Sequence, residues 1–171
     1  MNSSVSYFDL LEIPEGYLIE EKVLRQQFLK KSRETHPDFF SLSSDEIKSE
    51  KEIASAQLNE AWNTLRDPEL RLSYLFSLFG YQVEDIKPDA TVLMEMMEWN
   101  EQLEMATEEG SLQKIKAELM EVREERRGKL AKHFTEWNSL SKEEKLKRLE
   151  LAKTDWIVVR YYSRILSGKI V

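Results

Sequence analysis

The chain has no cysteine. That excludes disulfides, thiolate zinc sites, thiolate-ligated iron–sulfur clusters and a cysteine nucleophile. It has two histidines, His36 and His133, too few for a His-rich metal centre. Five glycines and four prolines among 171 residues are too few for a turn-rich all-β fold or a Gly/Pro-rich linker. No apolar run approaches the length of a bilayer-spanning helix. An excess of positive charge is also missing. The net charge of −7 disfavours a nucleic-acid binder, which needs a positive field to displace counterions. Met1 to Tyr7 has neither the basic nor the apolar region of a secretory signal, so a cytoplasmic location is expected. What the chain does have is 41% hydrophobic residues, enough for a core, and 33% charged residues, which implies much solvated helix surface.

The apolar spacing predicts an all-α chain. A short first helix carries Tyr7, Phe8, Leu10, Leu11 and Ile13 and is stopped by Pro14 and Gly16. A second runs from about Ile19 to Thr35, with Val23, Leu24, Phe28 and Leu29 near helical spacing. His36-Pro37-Asp38 interrupts it, because proline disfavours helix at the preceding residue. Ser44 with Asp45 and Glu46 marks the start of a third helix reaching about Leu65. Asp67-Pro68 opens a fourth, which Gly80 ends. Residues 81–90 read as a connection. Three helices follow. The first spans Thr91 to about Ala106, and Gly110-Ser111 separates it from the second, Leu112 to about Trp137. Ser141 and Glu144 form a capping box that opens the last, which reaches Leu166. Three long antiparallel helices can bury their apolar stripes against one another.

Charge is unevenly divided. Residues 1–88 hold 16 acids and 10 bases, whereas residues 89–171 hold 16 and 15. Within the acidic half, Lys22, Arg25, Lys30, Lys31 and Arg33 stand in a stretch without an acid. A basic helix followed by His36-Pro37-Asp38, a polar loop and another helix resembles the J domain of DnaJ-type co-chaperones. Tyr7-Phe8-Asp9-Leu10-Leu11 is similar to that family's first helix. Leu24 and Phe28 match buried positions of its second, and Asn59 to Pro68 resembles the end of its third. Arg71-Leu72-Ser73-Tyr74-Leu75, Leu78 to Tyr81, Leu93-Met94-Glu95 and Arg160 to Ile165 extend the likeness to HscB, the J-protein family of iron–sulfur cluster assembly.

The resemblance implies a J-domain helical hairpin with flanking helices over 1–81, a connection over 82–90, and a C-terminal antiparallel three-helix bundle over 91–171, packed together. It implies a co-chaperone that stimulates the ATPase of a DnaK/HscA-type chaperone and delivers the scaffold protein IscU to it. Chaperone contact falls on His36, Pro37, Asp38, Lys22, Arg25, Lys30 and Arg33. Scaffold contact falls on Leu93, Met94, Met97, Glu98, Glu101 and Tyr161. The chemistry is compatible: a basic helix steers toward an acidic surface, and the Asp38 carboxylate can accept hydrogen bonds from an arginine. The hydrolysis belongs to the partner, so no catalytic residue, metal or cofactor is expected, and no nucleic acid or membrane. Thr35, Lys31, Phe39 and Met105 depart from the family pattern; Met105 stands where an acid of the scaffold face is expected.

Plainer readings accompany these. His-Pro-Asp alone is a turn, and a charge run is usually a solvated face. By periodicity Leu93, Met94 and Met97 read as core, and at least one of them is expected to be buried. Trp62, Trp99, Trp137 and Trp156 read as packing residues and Tyr161 as half core. Mid-helix His133 has no role, and Glu124 to Arg127 read as solvated charge. Two other functions compete: a J-domain adaptor for a different client, and an enzyme using His36 and Asp38 as an acid–base pair.

Overall fold

The structure, a computed structural model, describes residues 5–35, 44–106 and 108–168. Every regular element among them is helical. The chain divides into two compact units, residues 1–75 and 76–171.

In the first unit, α1 (Tyr7–Leu10) is held by a capping box in which Ser6 Oγ accepts from the Asp9 N–H at 3.1 Å. Then come α2 (Glu21–Thr35), α3 (Asp45–Arg66), capped by Ser44, and most of α4 (Pro68–Leu78). Asp67 caps α4 by accepting from the Glu69 and Leu70 N–H groups at 2.8 and 3.1 Å. Proline at the first helical position costs nothing there, since that N–H lacks an intrahelical partner anyway. The α2–α3 hairpin closes on Leu24, Leu58, Ala61 and Leu65, all buried, with Phe28 stacked on Trp62 at 4.6 Å. Arg71 is the exception in this core. Its guanidinium donates to the carbonyls of Leu65 and Tyr17, each at 2.6 Å, and so ties the end of α3 to the segment before α2. Burial pushes its pKa down, and it stays charged.

Gly80 ends α4 in the left-handed region, φ +83°. The Tyr81 N–H returns to the Phe76 carbonyl and the Gly80 N–H to that of Ser77, with the Tyr81 ring edge-on to Phe76. This is a Schellman closure. Residues 76–81, placed with the first domain in the sequence reading, lie in the second unit, because Phe76 packs on Trp156 at 5.2 Å and Tyr81 reaches Glu150.

The second unit is a bundle of α5 (Ala90–Met105), α6 (Glu109–Lys132) and α7 (Lys142–Leu166). Leu119 shares a core cluster with Tyr162, while His133 and Arg126 meet Asp155, so α6 and α7 run antiparallel. Two helix ends differ from expectation. Gly110 and Ser111 do not separate α5 from α6 but sit in the first turn of α6. There the Ser111 N–H and hydroxyl both donate to the Glu108 carbonyl, at 3.1 and 2.7 Å. At its other end α6 stops at Lys132, not Trp137. Thr135 Oγ1 donates to the Lys132 carbonyl, and Glu136 turns the chain at φ +58° into a 3-10 turn, Trp137–Ser139. Local side-chain bonds thus compete with helix continuation. His133 is therefore a C-terminal cap residue rather than mid-helix. The capping box of Ser141 and Glu144 is present as expected.

Candidate functional site

In the first unit the α2 cations are not equivalent. Lys22, Arg25 and Arg33 are exposed and make no ion pair among the described residues. Lys30 is paired with Glu12 at 3.0 Å, and Lys31 with Glu12 and, at 3.7 Å, with Glu34. These bonds, from Lys31 first and then Lys30, hold the Glu12 carboxyl below the usual carboxylate range. The charge α2 offers a partner is thus carried most freely by Lys22, Arg25 and Arg33. His36, Pro37 and Asp38 lie outside the described residues.

In the second unit α5 has two apolar faces. Asp89 caps the helix and fixes its first turn, accepting from the Val92 N–H at 2.9 Å. Val92 and Met96 are then core, 4% and 7% exposed, among Leu119, Val158, Tyr162 and Ile165. Trp99 and Leu103, three and seven residues beyond Met96, pack on the same cluster. Leu93, Met94 and Met97 point the other way, 49%, 63% and 55% exposed. The expectation that at least one of them is buried is therefore overturned. Val92 and Met96, at i and i+4, occupy the inner stripe, leaving their neighbours outward. Glu98 and Glu101 are exposed on this outer surface, and Met105 extends it at 78% exposure.

Tyr161 is half-buried, as expected, and its hydroxyl donates to the Met96 carbonyl at 3.2 Å. Burial raises its pKa. Tyr162, one residue on, is fully buried and donates to Glu95 at 2.5 Å. Burial first, then Glu95, pushes its pKa far up. Glu95 also takes Arg126 at 3.0 Å, and Arg126 reaches Asp155 at 3.4 Å. Asp155 lies 3.4 Å from His133 Nε2. Arg126 is therefore no ordinary solvated charge; it ties α6 to both α5 and α7. His133, given no role from sequence, faces the same carboxylate. Glu124 and Glu125 pair with Arg123, Arg127 and Lys129 on the exposed surface, as expected. Among the described residues no three metal-ligating side chains are gathered, and no helix is long and apolar enough to cross a membrane.

These two surfaces sit in stretches that known families match. The model of the DnaJ domain matches residues 6–74, and that of the HSCB C-terminal oligomerisation domain matches residues 88–168. The co-chaperone protein HscB homolog of Burkholderia mallei is 35% identical over 133 residues, 74% of each chain. The chain belongs to the HscB family of co-chaperones. The crystal structure of human co-chaperone protein HscB matches with a TM-score of 0.81 at 26% identity, over 98% of this chain and 82% of that one. Chaperone HscB from Vibrio cholerae shares the fold at a TM-score of 0.68 and 24% identity, over 96% and 99%. An HscB-family chain thus presents an exposed basic helix in one unit and an outward apolar, acid-edged helix face in the other.

Proposed function

We propose that this protein stimulates the ATPase of a DnaK/HscA-type chaperone and delivers an IscU-type iron–sulfur scaffold protein to it. Stimulation is assigned to His36, Pro37 and Asp38, with Lys22, Arg25, Lys30 and Arg33 steering the encounter. Arg25 and Arg33 offer planar donors suited to partner carboxylates. Lys30 contributes less than its charge suggests, because Glu12 already holds it.

The observation that carries the client assignment is the outward face of α5. Three large apolar side chains, Leu93, Met94 and Met97, stay in water beside Glu98 and Glu101 while their neighbours fill the core. Unbranched methionines adapt to a partner's surface. Tyr161 braces this helix through the Met96 carbonyl.

The test has two arms. His36→Gln should abolish ATPase stimulation with the helical circular dichroism unchanged. Leu93→Ala with Met97→Ala should weaken scaffold binding and leave stimulation without scaffold intact. Retained stimulation in the first variant would remove the J-domain mechanism. A wild-type protein that binds no scaffold at high micromolar concentration would make it an adaptor for another client.

A further inference from the structure

We infer that the bundle carries a second, basic groove, beside the α5 face, that seats a carboxylate-bearing segment of the same client. The inference rests on the proposed function for its client, an IscU-type scaffold. The groove encloses about 280 Å³ between α7 and the segment before α5. Its lining includes the apolar side chains of Ile86, Met96 and Ile157. It also includes three cations, Lys87, Arg160 and Arg164, against one acid, Glu84.

The charge is unusual for its setting. The chain as a whole is at −7. Arg160 and Arg164 stand at i and i+4 on α7, a like-charge spacing that disfavours a helix. Neither has a carboxylate partner among the described residues, whereas Lys153 of the same helix is paired with Glu150. Arg160 lies over the Trp156 ring at 5.2 Å, which orients its planar fork and leaves its donors unspent. Arg164, in the last turn, gains from the helix dipole, but that accounts for one cation of the three. Lys87 donates to the Glu84 backbone carbonyl at 2.7 Å, and both residues line the groove. Two guanidiniums one helical turn apart and an ammonium, lining one groove with apolar side chains, can recognise a carboxylate flanked by apolar residues.

Tyr161 joins this groove to the α5 face. Its side chain lines the groove, its hydroxyl bonds the Met96 carbonyl, and the Asn100 side chain reaches the same hydroxyl. Asn100 lies three residues beyond Met97 and seven beyond Leu93, on the same flank of α5. A client spanning Leu93 and Met97 therefore meets Tyr161 next and then the arginines. The two surfaces are of opposite sign, acidic at Glu98 and Glu101 and basic at Arg160 and Arg164. That arrangement fixes the orientation of a client carrying the complementary pair.

The experiment is calorimetric titration of the full chain with an IscU-type scaffold at low and moderate salt. It compares wild type, Arg164→Glu, Arg164→Lys, Lys87→Glu, and Leu93→Ala with Met97→Ala. Arg164→Glu is expected to weaken binding about tenfold at low salt, with a smaller loss at moderate salt, and Arg164→Lys to recover most of it. Carbodiimide coupling should link Lys87 to a scaffold aspartate or glutamate. If both charge reversals bind as wild type while the α5 variant fails, the groove is not part of the interface and the inference falls alone. If wild type binds no scaffold, the groove and the α5 reading fall together. If only the charge reversals weaken binding, the groove stands and the α5 reading falls. Charge reversals that change self-association in sedimentation, and not scaffold binding, would assign the groove to a second copy and overturn the inference.

Discussion

Met96 and Met97 are adjacent, chemically identical and placed on opposite faces of α5, so the same truncation should act on different quantities. Met96 is 7% exposed and packs in the bundle core. Removing its side chain leaves a cavity among Val158, Tyr162 and their neighbours, at a cost of about 2–4 kcal/mol in stability. Met97 is 55% exposed, so about half of its burial remains to be gained from a partner. Full burial of such a side chain is worth roughly 1.5–3 kcal/mol. Met97→Ala should therefore cost under about 1 kcal/mol in stability and about 1 kcal/mol in scaffold binding, a fivefold rise in Kd. Urea unfolding read by circular dichroism measures the first quantity and calorimetric titration the second. Met96→Ala should shift the urea midpoint strongly, whereas Met97→Ala should shift it little. Equal destabilisation by the two substitutions would refute the division of α5 into an inner and an outer face.

Three further outcomes are expected. Arg71→Met removes two buried charge-assisted hydrogen bonds, to the Leu65 and Tyr17 carbonyls, which should cost about 2–4 kcal/mol in urea unfolding; a loss below half a kilocalorie, on the order of an ordinary surface change, would contradict the tie. A double-mutant cycle of Arg126→Leu and Asp155→Asn should give a coupling of about 1 kcal/mol, and the exposed pair of Lys129 and Glu125 a smaller one. The Tyr7 hydroxyl is pushed up to about 12 by burial first and then by Glu60. Its contribution is full below pH 10 and is lost as pH rises toward 12, so stability should fall across that window and fall less in Tyr7→Phe.

The elements legible from sequence are those set by local chemistry. Ser44, Asp67 and Ser141 mark helix starts because a side-chain oxygen reaches an N–H two or three residues on, which needs no tertiary contact. Gly80 marks a stop because the positive φ of its closure excludes most other residues. The all-α class follows from apolar spacing and scarce breakers, and the family resemblance from its motifs. The Phe28 and Trp62 pair and the buried Leu24 were legible for the same reason: an apolar face at helical period must close on something.

Tertiary structure decided what local pattern leaves degenerate. Apolar residues stand nearly all round α5, so spacing cannot say that Met96 turns in and Met97 out; that depends on where α6 and α7 lie. Arg126 looks like any helix-surface cation until the fold brings it Glu95 and Asp155, each about thirty positions away in the chain. Lys30 looks free until Glu12 arrives from before α2. The end of α6 depends on a reversal at Glu136, a residue with no turn preference of its own. The groove of Lys87, Arg160 and Arg164 has no linear signature, because its cations meet only when α7 returns past the segment that precedes α5. Sequence alone determines caps, periods and motifs, which are short-range. Which face is buried, and which charges remain unpaired, is settled by long-range packing.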